Sequence, residues 1–202
     1  MNLAFGGASI DGSAYRDVVD LARHSPGWLD STIRVWSTFG LAVFALLMLA
    51  GWWRARQVGA GRALTALAVP VVVVLAYGVN DALKAVVHED RPCRTLQVRT
   101  LEACPAHGDW SFPSNHAAIA AAAAVALLFV SRRLGRIACL AAVTMAASRV
   151  WVGVHYPHDV VAGVVVGALV ALGSMSLLYA RSAILARRLT AAAPLRALLS
   201  AS

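Results

Sequence analysis

The sequence predicts an all-α fold: a polytopic membrane helix bundle of about five transmembrane helices with an N-terminal interfacial helix. Hydrophobic residues make up 59% of the 202-residue chain and charged residues only 14%, a composition too apolar for an ordinary soluble domain. A helix needs roughly 20 apolar residues to cross a bilayer. Five stretches reach or approach that length, the third and fourth only with their polar flanks: 35–53, 63–87, 117–130, 137–151 and 160–180.

Residues 1–27 precede these stretches and do not resemble a cleavable signal peptide, because acidic and basic side chains are spread along them. Val18, Val19 and Leu21 favour a short amphipathic helix that lies on the membrane surface. A soluble helix packed on the loops of the bundle fits the same pattern. We expect residues 1–190 to form one membrane domain and residues 191–202 to form a cytoplasmic tail.

The net charge of +8 could indicate a nucleic-acid partner, but the distribution of charges predicts membrane topology instead. Ten arginines and no acidic residue fall in loops 54–62 and 131–136 and in the region after residue 180. All ten Asp and Glu residues and all six His residues lie on the other side or just inside it. The positive-inside rule makes the arginine-only side cytoplasmic. We therefore expect a multi-pass cell-membrane protein with its N-terminus outside, its C-terminus inside, and no nucleic-acid partner.

Polar residues concentrate in three segments that this topology places on the extracytoplasmic face. They are NDALKAVVHEDRP (80–92), FPSNH (112–116) and ASRVWVGVHYPHD (147–159). Loops on one side of a compact bundle converge, so these segments can build a single pocket.

The first segment pairs two cations at the end of an apolar stretch. Lys84 is the only lysine among 18 basic residues, and ionisable groups near the membrane are costly and usually functional. Asp81 could pair with it, and snorkelling to the interface is the alternative interpretation. Arg91 follows about two helical turns later, before Pro92 stops the helix. The compact ammonium group of Lys84 and the planar, bidentate guanidinium group of Arg91, converging on one place, suit a phosphate group.

The second segment opens the third apolar stretch. Pro113 ends the loop, Ser114 is a good N-cap, and helix geometry follows from Asn115 or His116. The first backbone N–H groups of that helix have no helical partner and, with the helix dipole, favour an anion. Simple helix capping is the alternative interpretation.

The third segment contains a nucleophile pattern. Asp159 follows His155 by four residues and falls in the first turn of a helix that Pro157 can begin. Its carboxylate can accept a hydrogen bond from one ring nitrogen of His155, which frees the other nitrogen for attack. A structural ion pair between Arg149 and Asp159, with His155 as an interfacial side chain, is the alternative.

No metal and no other cofactor is expected. His88, His107 and His158 lie on the same predicted face, but their spacing matches no structural zinc pattern, and the nearby cations would repel a metal ion. In the same predicted outer region, Cys93 and Cys104 could form a disulfide, although two free thiols fit the sequence equally well.

Together the three segments resemble the signature of the type-2 phosphatidic acid phosphatase (PAP2) superfamily. They read K-x6-RP (Lys84, Arg91, Pro92), PS-x-H (Pro113, Ser114, His116) and SR-x5-H-x3-D (Ser148, Arg149, His155, Asp159). The resemblance covers roughly residues 20–180 and implies a PAP2-like helical core. It departs at Asn115, where the family most often has Gly.

The resemblance implies a metal-independent hydrolase that works through a phosphohistidine. His155 would attack phosphorus, Asp159 would orient it, and His116 would protonate the leaving oxygen. The residues implied in substrate binding are Lys84, Arg91, Arg149, Ser114, Asn115 and Ser148.

Within that superfamily the chain looks most like bacterial undecaprenyl-diphosphate phosphatases of the bacitracin-resistance type. This implies a membrane lipid phosphate as substrate, with undecaprenyl diphosphate first and phosphatidylglycerophosphate, phosphatidate or another polyprenyl phosphate as alternatives. A non-catalytic membrane transporter or structural protein is the alternative of another class. The sequence makes no prediction about oligomeric state.

Overall fold

The computed structural model describes residues 5–190 and 198–199, so the predicted tail at 191–202 lies outside the described residues except for Leu198 and Leu199. The regular secondary structure of the described chain is helical, as predicted, apart from one pair of two-residue parallel strands. In order, its elements are β1 Phe5–Gly6, α1 Ala8–Arg23, α2 Gly27–Phe39, α3 Leu41–Val58, α4 Ala60–Val87, β2 Glu89–Asp90, α5 Pro92–Thr95, α6 Asn115–Val130, α7 Arg132–Trp151 and α8 Pro157–Thr190.

Length and hydropathy identify three of the described helices as able to cross a membrane by themselves: α4, α7 and the Pro157–Ser182 part of α8. The helices α2 and α3 meet the same criterion as a bent pair. The apolar α6 has 16 residues and is shorter than a full span. These five units correspond in position to the five predicted stretches, and a multi-pass membrane protein is confirmed.

The predicted stretch at residues 35–53 lies in this bent pair and is not one straight helix. Helix α2 ends at Phe39, α3 begins at Leu41, and the pair is bent by 53°. A side chain at Gly40 would collide with the carbonyl group of Trp36 and with Met145 of α7, so the bend lies against α7. Hydropathy does not detect such a break, because the residues on both sides of it are apolar.

Helix α6 lies at the centre of the bundle and contacts α3, α4, α7 and α8. Its alanines from 117 to 126 are all buried, and their small side chains let neighbouring backbones approach closely. Gly163 and Gly167 of α8 lie against the carbonyl groups of Ser114 and Ala118, where any side chain would collide. The alanine run therefore sets where the N-terminus of α6 sits relative to α8.

Helix α1 packs on the loop that joins α7 to α8. Tyr15 is fully buried, its hydroxyl donates a hydrogen bond to the carbonyl oxygen of Gly153 at 2.8 Å, and its ring packs against Tyr156 with centroids 5.5 Å apart. Of the two arrangements that the sequence allowed for this helix, packing on the loops of the bundle is therefore present. Contact of α1 with a membrane surface stays a prediction.

The arginine loops and the polar segments lie at opposite ends of the bundle. Helix α4 runs from Arg62 at one end to Lys84 at the other. Near the first end, the loops gather four arginines around a cavity of about 510 Å³: Arg54, Arg62, Arg132 and Arg133. The charge segregation read from the sequence is thus present in three dimensions.

Candidate active site

The three polar segments converge around His155, which lies in the loop between α7 and α8. Its Nε2 atom is 3.0 Å from Nη1 of Arg91, and its Nδ1 atom is 3.4 Å from Oδ2 of Asp159. Burial, together with the positive charges of Arg91 and Arg149, holds the pKa of His155 well below its usual range. The ring is therefore neutral at physiological pH, the form in which a ring nitrogen can act as a nucleophile.

The carboxylate of Asp159 is held in one orientation. Its Oδ2 atom accepts hydrogen bonds from the Ser111 hydroxyl at 2.5 Å and from the backbone N–H of Tyr156 at 2.8 Å. The same oxygen faces Nδ1 of His155, as the sequence predicted. This arrangement leaves Nε2 of His155 on the side of Arg91.

Lys84 and Arg91 are brought together by the carboxylate of Asp109. The Arg91 guanidinium donates to Oδ1 and to the carbonyl oxygen of Asp109 at 2.8 and 3.0 Å, and to the carbonyl oxygen of Val154 at 2.9 Å. Lys84 Nζ donates to the Trp110 carbonyl at 2.8 Å and lies 3.6 Å from Oδ1 of Asp109. Burial alone would raise the pKa of Asp109, but these two cations outweigh it and lower the pKa. We call Lys84, Arg91 and Asp109 the front cluster.

The expected pair between Lys84 and Asp81 does not form. Asp81 instead accepts a hydrogen bond from Nδ2 of Asn115 at 3.2 Å, and Oδ1 of Asn115 accepts one from Asn80 at 2.6 Å. The side chain of Asn115, the position where the family most often has Gly, is thus bound to α4. Its proposed contact with substrate stays a prediction that involves only its backbone N–H.

Arg149 supplies a third cation. Its Nη1 atom donates to the Ser37 hydroxyl and lies 3.4 Å from both carboxylate oxygens of Glu102. It forms no ion pair with Asp159 in the described chain, so the alternative of a structural Arg149–Asp159 pair was wrong. Ser37 is a buried residue of the last turn of α2, just before the bend.

The N-terminus of α6 lies at the candidate site, beside Asp159. Helix α6 begins at Asn115, and Ser114 occupies the N-cap position as predicted, but its hydroxyl makes no capping bond. Its Oγ atom is buried and has no hydrogen-bond partner among the described residues, while its backbone N–H donates to the Asp159 carbonyl at 3.0 Å. The hydroxyl of Ser114 therefore retains its donor for another group.

Of the remaining predicted residues, the structure brings His116 to the site but not the hydroxyl of Ser148. His116 lies within electrostatic range of Arg149, Arg91 and Lys84. The Ser148 hydroxyl donates to the Met145 carbonyl one turn earlier in its own helix, at 2.7 Å.

Sequence reasoning missed Ser111, Asp109, Glu89 and the role of His158. Ser111 and Asp109 lie in the loop before α6, and no periodicity or spacing marks them as site residues. The only signal was their position directly before the FPSNH segment.

A disulfide joins Cys93 to Cys104, with Cα atoms 6.0 Å apart. The loop that it closes contains Glu102, the partner of Arg149. It therefore links the segment after Arg91 to the third cation of the site.

Comparison with known proteins identifies the family of this chain. The sequence profile of the PAP2 superfamily matches residues 63–183. Undecaprenyl-diphosphatase BcrC of Bacillus subtilis (strain 168) is 31% identical over 147 residues, which are 73% of this chain and 74% of that protein. An undecaprenyl-diphosphatase of Sulfolobus acidocaldarius is 31% identical over 138 residues, which are 68% of this chain and 62% of that protein.

The fold also has a solved relative. The crystal structure of a transmembrane PAP2-type phosphatidylglycerolphosphate phosphatase from Bacillus subtilis superposes with a TM-score of 0.59 at 22% identity. The match covers 82% of this chain and 85% of the other. At this level of identity the likeness establishes the helical architecture.

Proposed function

The chain belongs to the PAP2 superfamily and is a membrane hydrolase that acts on lipid phosphates; on this premise we propose that it converts undecaprenyl diphosphate to undecaprenyl phosphate and phosphate. The choice of lipid is supported by the two undecaprenyl-diphosphatases, each 31% identical to this chain. The observation that carries the chemistry is a buried His155 held between Arg91 and Asp159.

In the proposed first step, Nε2 of His155 forms a bond to the terminal phosphorus while the bond between phosphorus and the bridging oxygen breaks. The electron pair goes to the leaving lipid phosphate, and His116 donates a proton to it. The carboxylate of Asp159 stabilises the positive charge that the ring acquires. In the second step His116 takes a proton from water, which attacks phosphorus and releases phosphate from His155.

The front cluster supports this proposal because phosphoryl transfer depends on positioning and on charge neutralisation. Lys84 and Arg91 are buried, whereas the side chain of Asp109 that faces them is 49% exposed. A phosphoryl group would displace the Asp109 carboxylate and take its place on the two cations. Arg149, the free hydroxyl of Ser114 and the first N–H groups of α6 would bind further oxygens.

An apolar groove whose lining includes Ser148, the residue before Arg149 in the chain, fits the tail of an amphiphilic substrate. It has a volume of about 450 Å³, lies between α2 and α7, and reaches Ser148 beside Arg149. Its remaining lining residues are Thr32, Ile33, Trp36, Thr144, Ala147 and Trp151. A head group on the cations would leave the lipid tail free to follow this groove.

Hydrolysis of a lipid panel by the purified protein in detergent with a chelator tests the proposal. The panel contains undecaprenyl diphosphate, phosphatidylglycerophosphate and phosphatidate, of which the second is the alternative that the solved relative suggests. We expect the highest kcat/KM for the diphosphate and a loss of at least about 10³-fold in His155→Ala. The exposed His24, whose ring hydrogen-bonds to the Asp20 carbonyl one turn earlier, gives the matched control His24→Ala. Full activity in folded His155→Ala excludes the phosphohistidine route, and no hydrolysis of any lipid favours the transporter or structural alternative.

We further propose that the site faces the extracytoplasmic side of the membrane. The segregation of the arginine loops at the other end of the bundle supports this orientation. After reduction, a membrane-impermeant thiol reagent added to intact cells should label Cys93 and Cys104. Labelling that requires cell lysis would reverse the proposed topology.

A further inference from the structure

A histidine outside the three-part signature lies among three carboxylates directly behind Asp159. Ring atom Nδ1 of His158 is 2.8 Å from Oδ1 of Asp11, and Nε2 is 3.0 and 3.1 Å from the two carboxylate oxygens of Glu89. The same Nε2 lies 3.4 Å from Oδ1 of Asp159, the oxygen that does not face His155. We call Asp11, Glu89, His158 and Asp159 the rear cluster.

We propose that His158 is a positioning residue for the hydrolysis: as an imidazolium it neutralises Glu89 and thereby keeps Asp159 anionic behind His155. The inference rests on the proposed function for its catalytic consequence. The charge state of His158 is a separate property that can be measured without turnover.

The contacts of the His158 ring require two donors. Both ring nitrogens face carboxylate oxygens, and an ionised carboxylate only accepts hydrogen bonds. A neutral imidazole has one donor and one acceptor, so it would leave one of these contacts repulsive. The imidazolium form donates to Asp11 and to Glu89 at the same time.

The charge of His158 matters because two of its three carboxylate neighbours, Glu89 and Asp159, are buried. Glu89 is 1% exposed, and His158 is the one residue of the described chain within hydrogen-bond or ion-pair distance of its carboxylate. Ligand atoms of Glu89, His158 and Asp159 all lie within 4.8 Å of one another. Two buried carboxylates at this distance without a cation would be forced to take up a proton.

The surroundings of His158 hold the ring in place. It stacks between Tyr156 and Phe112, with centroids 5.4 and 6.0 Å apart. The backbone N–H of His158 donates to Oδ2 of Asp11 at 2.7 Å, so a residue of α1 caps the first turn of α8. A side chain at Gly7 would collide with both Glu89 and His158, which shows how closely the N-terminal segment packs on the cluster.

The rear cluster reaches the reacting histidine through two routes. Asp159 itself faces Nδ1 of His155. The carbonyl oxygen of Glu89 accepts the backbone N–H of Ser111 at 2.7 Å, and the Ser111 hydroxyl donates to Asp159. A proton on Asp159 would remove the negative charge that stabilises His155 as it becomes phosphorylated.

Charge compensation between His158 and Glu89 provides the test. We expect kcat of His158→Gln to fall roughly 10- to 100-fold with KM little changed, because the uncompensated pair of carboxylates takes up a proton. Glu89→Gln alone should lower kcat less than His158→Gln does, because it removes a negative charge and keeps the cation. Adding it to His158→Gln should restore most of the lost kcat, since the double variant has the same net charge in the rear cluster as the wild type. His88→Gln, at an exposed histidine near the same site, is the matched control.

Two further measurements separate this inference from a structural role and from the proposed function. His158→Lys retains a cation without the ring and should keep more activity than His158→Gln. NMR of ¹⁵N-labelled histidine, with His158 assigned by its loss in His158→Gln, should show both ring nitrogens protonated at neutral pH, whether or not any lipid is hydrolysed.

A neutral His158 ring, or a folded double variant as slow as His158→Gln, would overturn the inference. Activity of the wild type that falls with chelator and returns with a divalent cation would overturn it in favour of a metal held by the rear cluster. Absence of hydrolysis with a doubly protonated His158 would contradict the proposed function and leave the charge state of His158 established.

Discussion

The two sides of His155 are both charged, but they differ in which charge is buried. In the front cluster the cations Lys84 and Arg91 are buried and their carboxylate partner, Asp109, is half-exposed. In the rear cluster the carboxylates Glu89 and Asp159 are buried. A half-exposed partner can be exchanged for an incoming anion at little cost, whereas a buried ion pair is costly to separate. The front cluster is therefore suited to bind and release phosphate, and the rear cluster to keep a constant charge.

The largest effect is expected from removing the charge of the rear carboxylate that faces His155. Asp159→Asn should lower kcat by about 10³- to 10⁴-fold with a smaller change in KM, because the amide cannot stabilise the charged ring or select its tautomer. Steady-state hydrolysis in detergent measures this loss. Asp20→Asn changes an exposed carboxylate whose ion-pair partner is Arg23, and it serves as the control. A loss below tenfold in a folded Asp159→Asn would show that the rear cluster is not coupled to His155.

A smaller effect, an increase in anion affinity, is expected from removing the carboxylate of the front cluster. Asp109→Asn removes the anion that competes for Lys84 and Arg91, so orthophosphate and vanadate should inhibit the variant about fivefold more strongly, equivalent to about 1 kcal/mol for a half-exposed ion pair. Inhibition constants for both anions measure this change. Asp17→Asn, at an exposed position of α1, controls for net charge. Weaker inhibition of Asp109→Asn would mean that Asp109 organises the cations and is not displaced by phosphate.

The smallest effect is a shift in pH dependence. Burial and the neighbouring cations lower the pKa of His155, so the nucleophile stays unprotonated and the acid limb of kcat/KM lies below the usual range for histidine. Lys84→Met removes one of the cations that oppose a proton on His155. In this variant the pKa of His155 should rise, and the acid limb of kcat/KM should move to higher pH. The shift should be small, because burial lowers the pKa of His155 more than Lys84 does. Arg23→Met is the control, and an acid limb that moves to lower pH would contradict this account.

The comparison also explains which site residues could be predicted from the sequence. The predicted residues belong to the three-part signature, and each lies at or near a helix end, where local spacing decides its position. They are Lys84, Arg91, Ser114, His116, Arg149, His155 and Asp159. Asp109 and Ser111 belong to the loop before α6, whose path depends on the residues that it meets. Their contacts with Arg91 and Asp159 join positions that are 18 and 48 residues apart.

Two further differences have the same origin. Hydropathy marks residues 35–53 as one apolar stretch, but the chain bends at Gly40, where a side chain would collide with Trp36 and with Met145. The spacing allowed Asp81 as a partner of Lys84. In the structure Asp81 accepts a hydrogen bond from Asn115, and Lys84 donates one to the Trp110 carbonyl in the loop before α6. In both cases a contact between distant elements outweighs the local pattern.

By itself, the sequence determined that this chain is a helical membrane protein, that its charges are segregated, and that it carries the residues of a PAP2 phosphatase. These properties depend on composition, periodicity and local spacing, all of which can be read directly from the order of residues along the chain. Only the tertiary structure decided which charges are paired: Asp109 with the front cations, Glu102 with Arg149, and His158 with Asp11 and Glu89. The energy of an ion pair depends on distance and burial, and both arise only when elements far apart in the chain pack together.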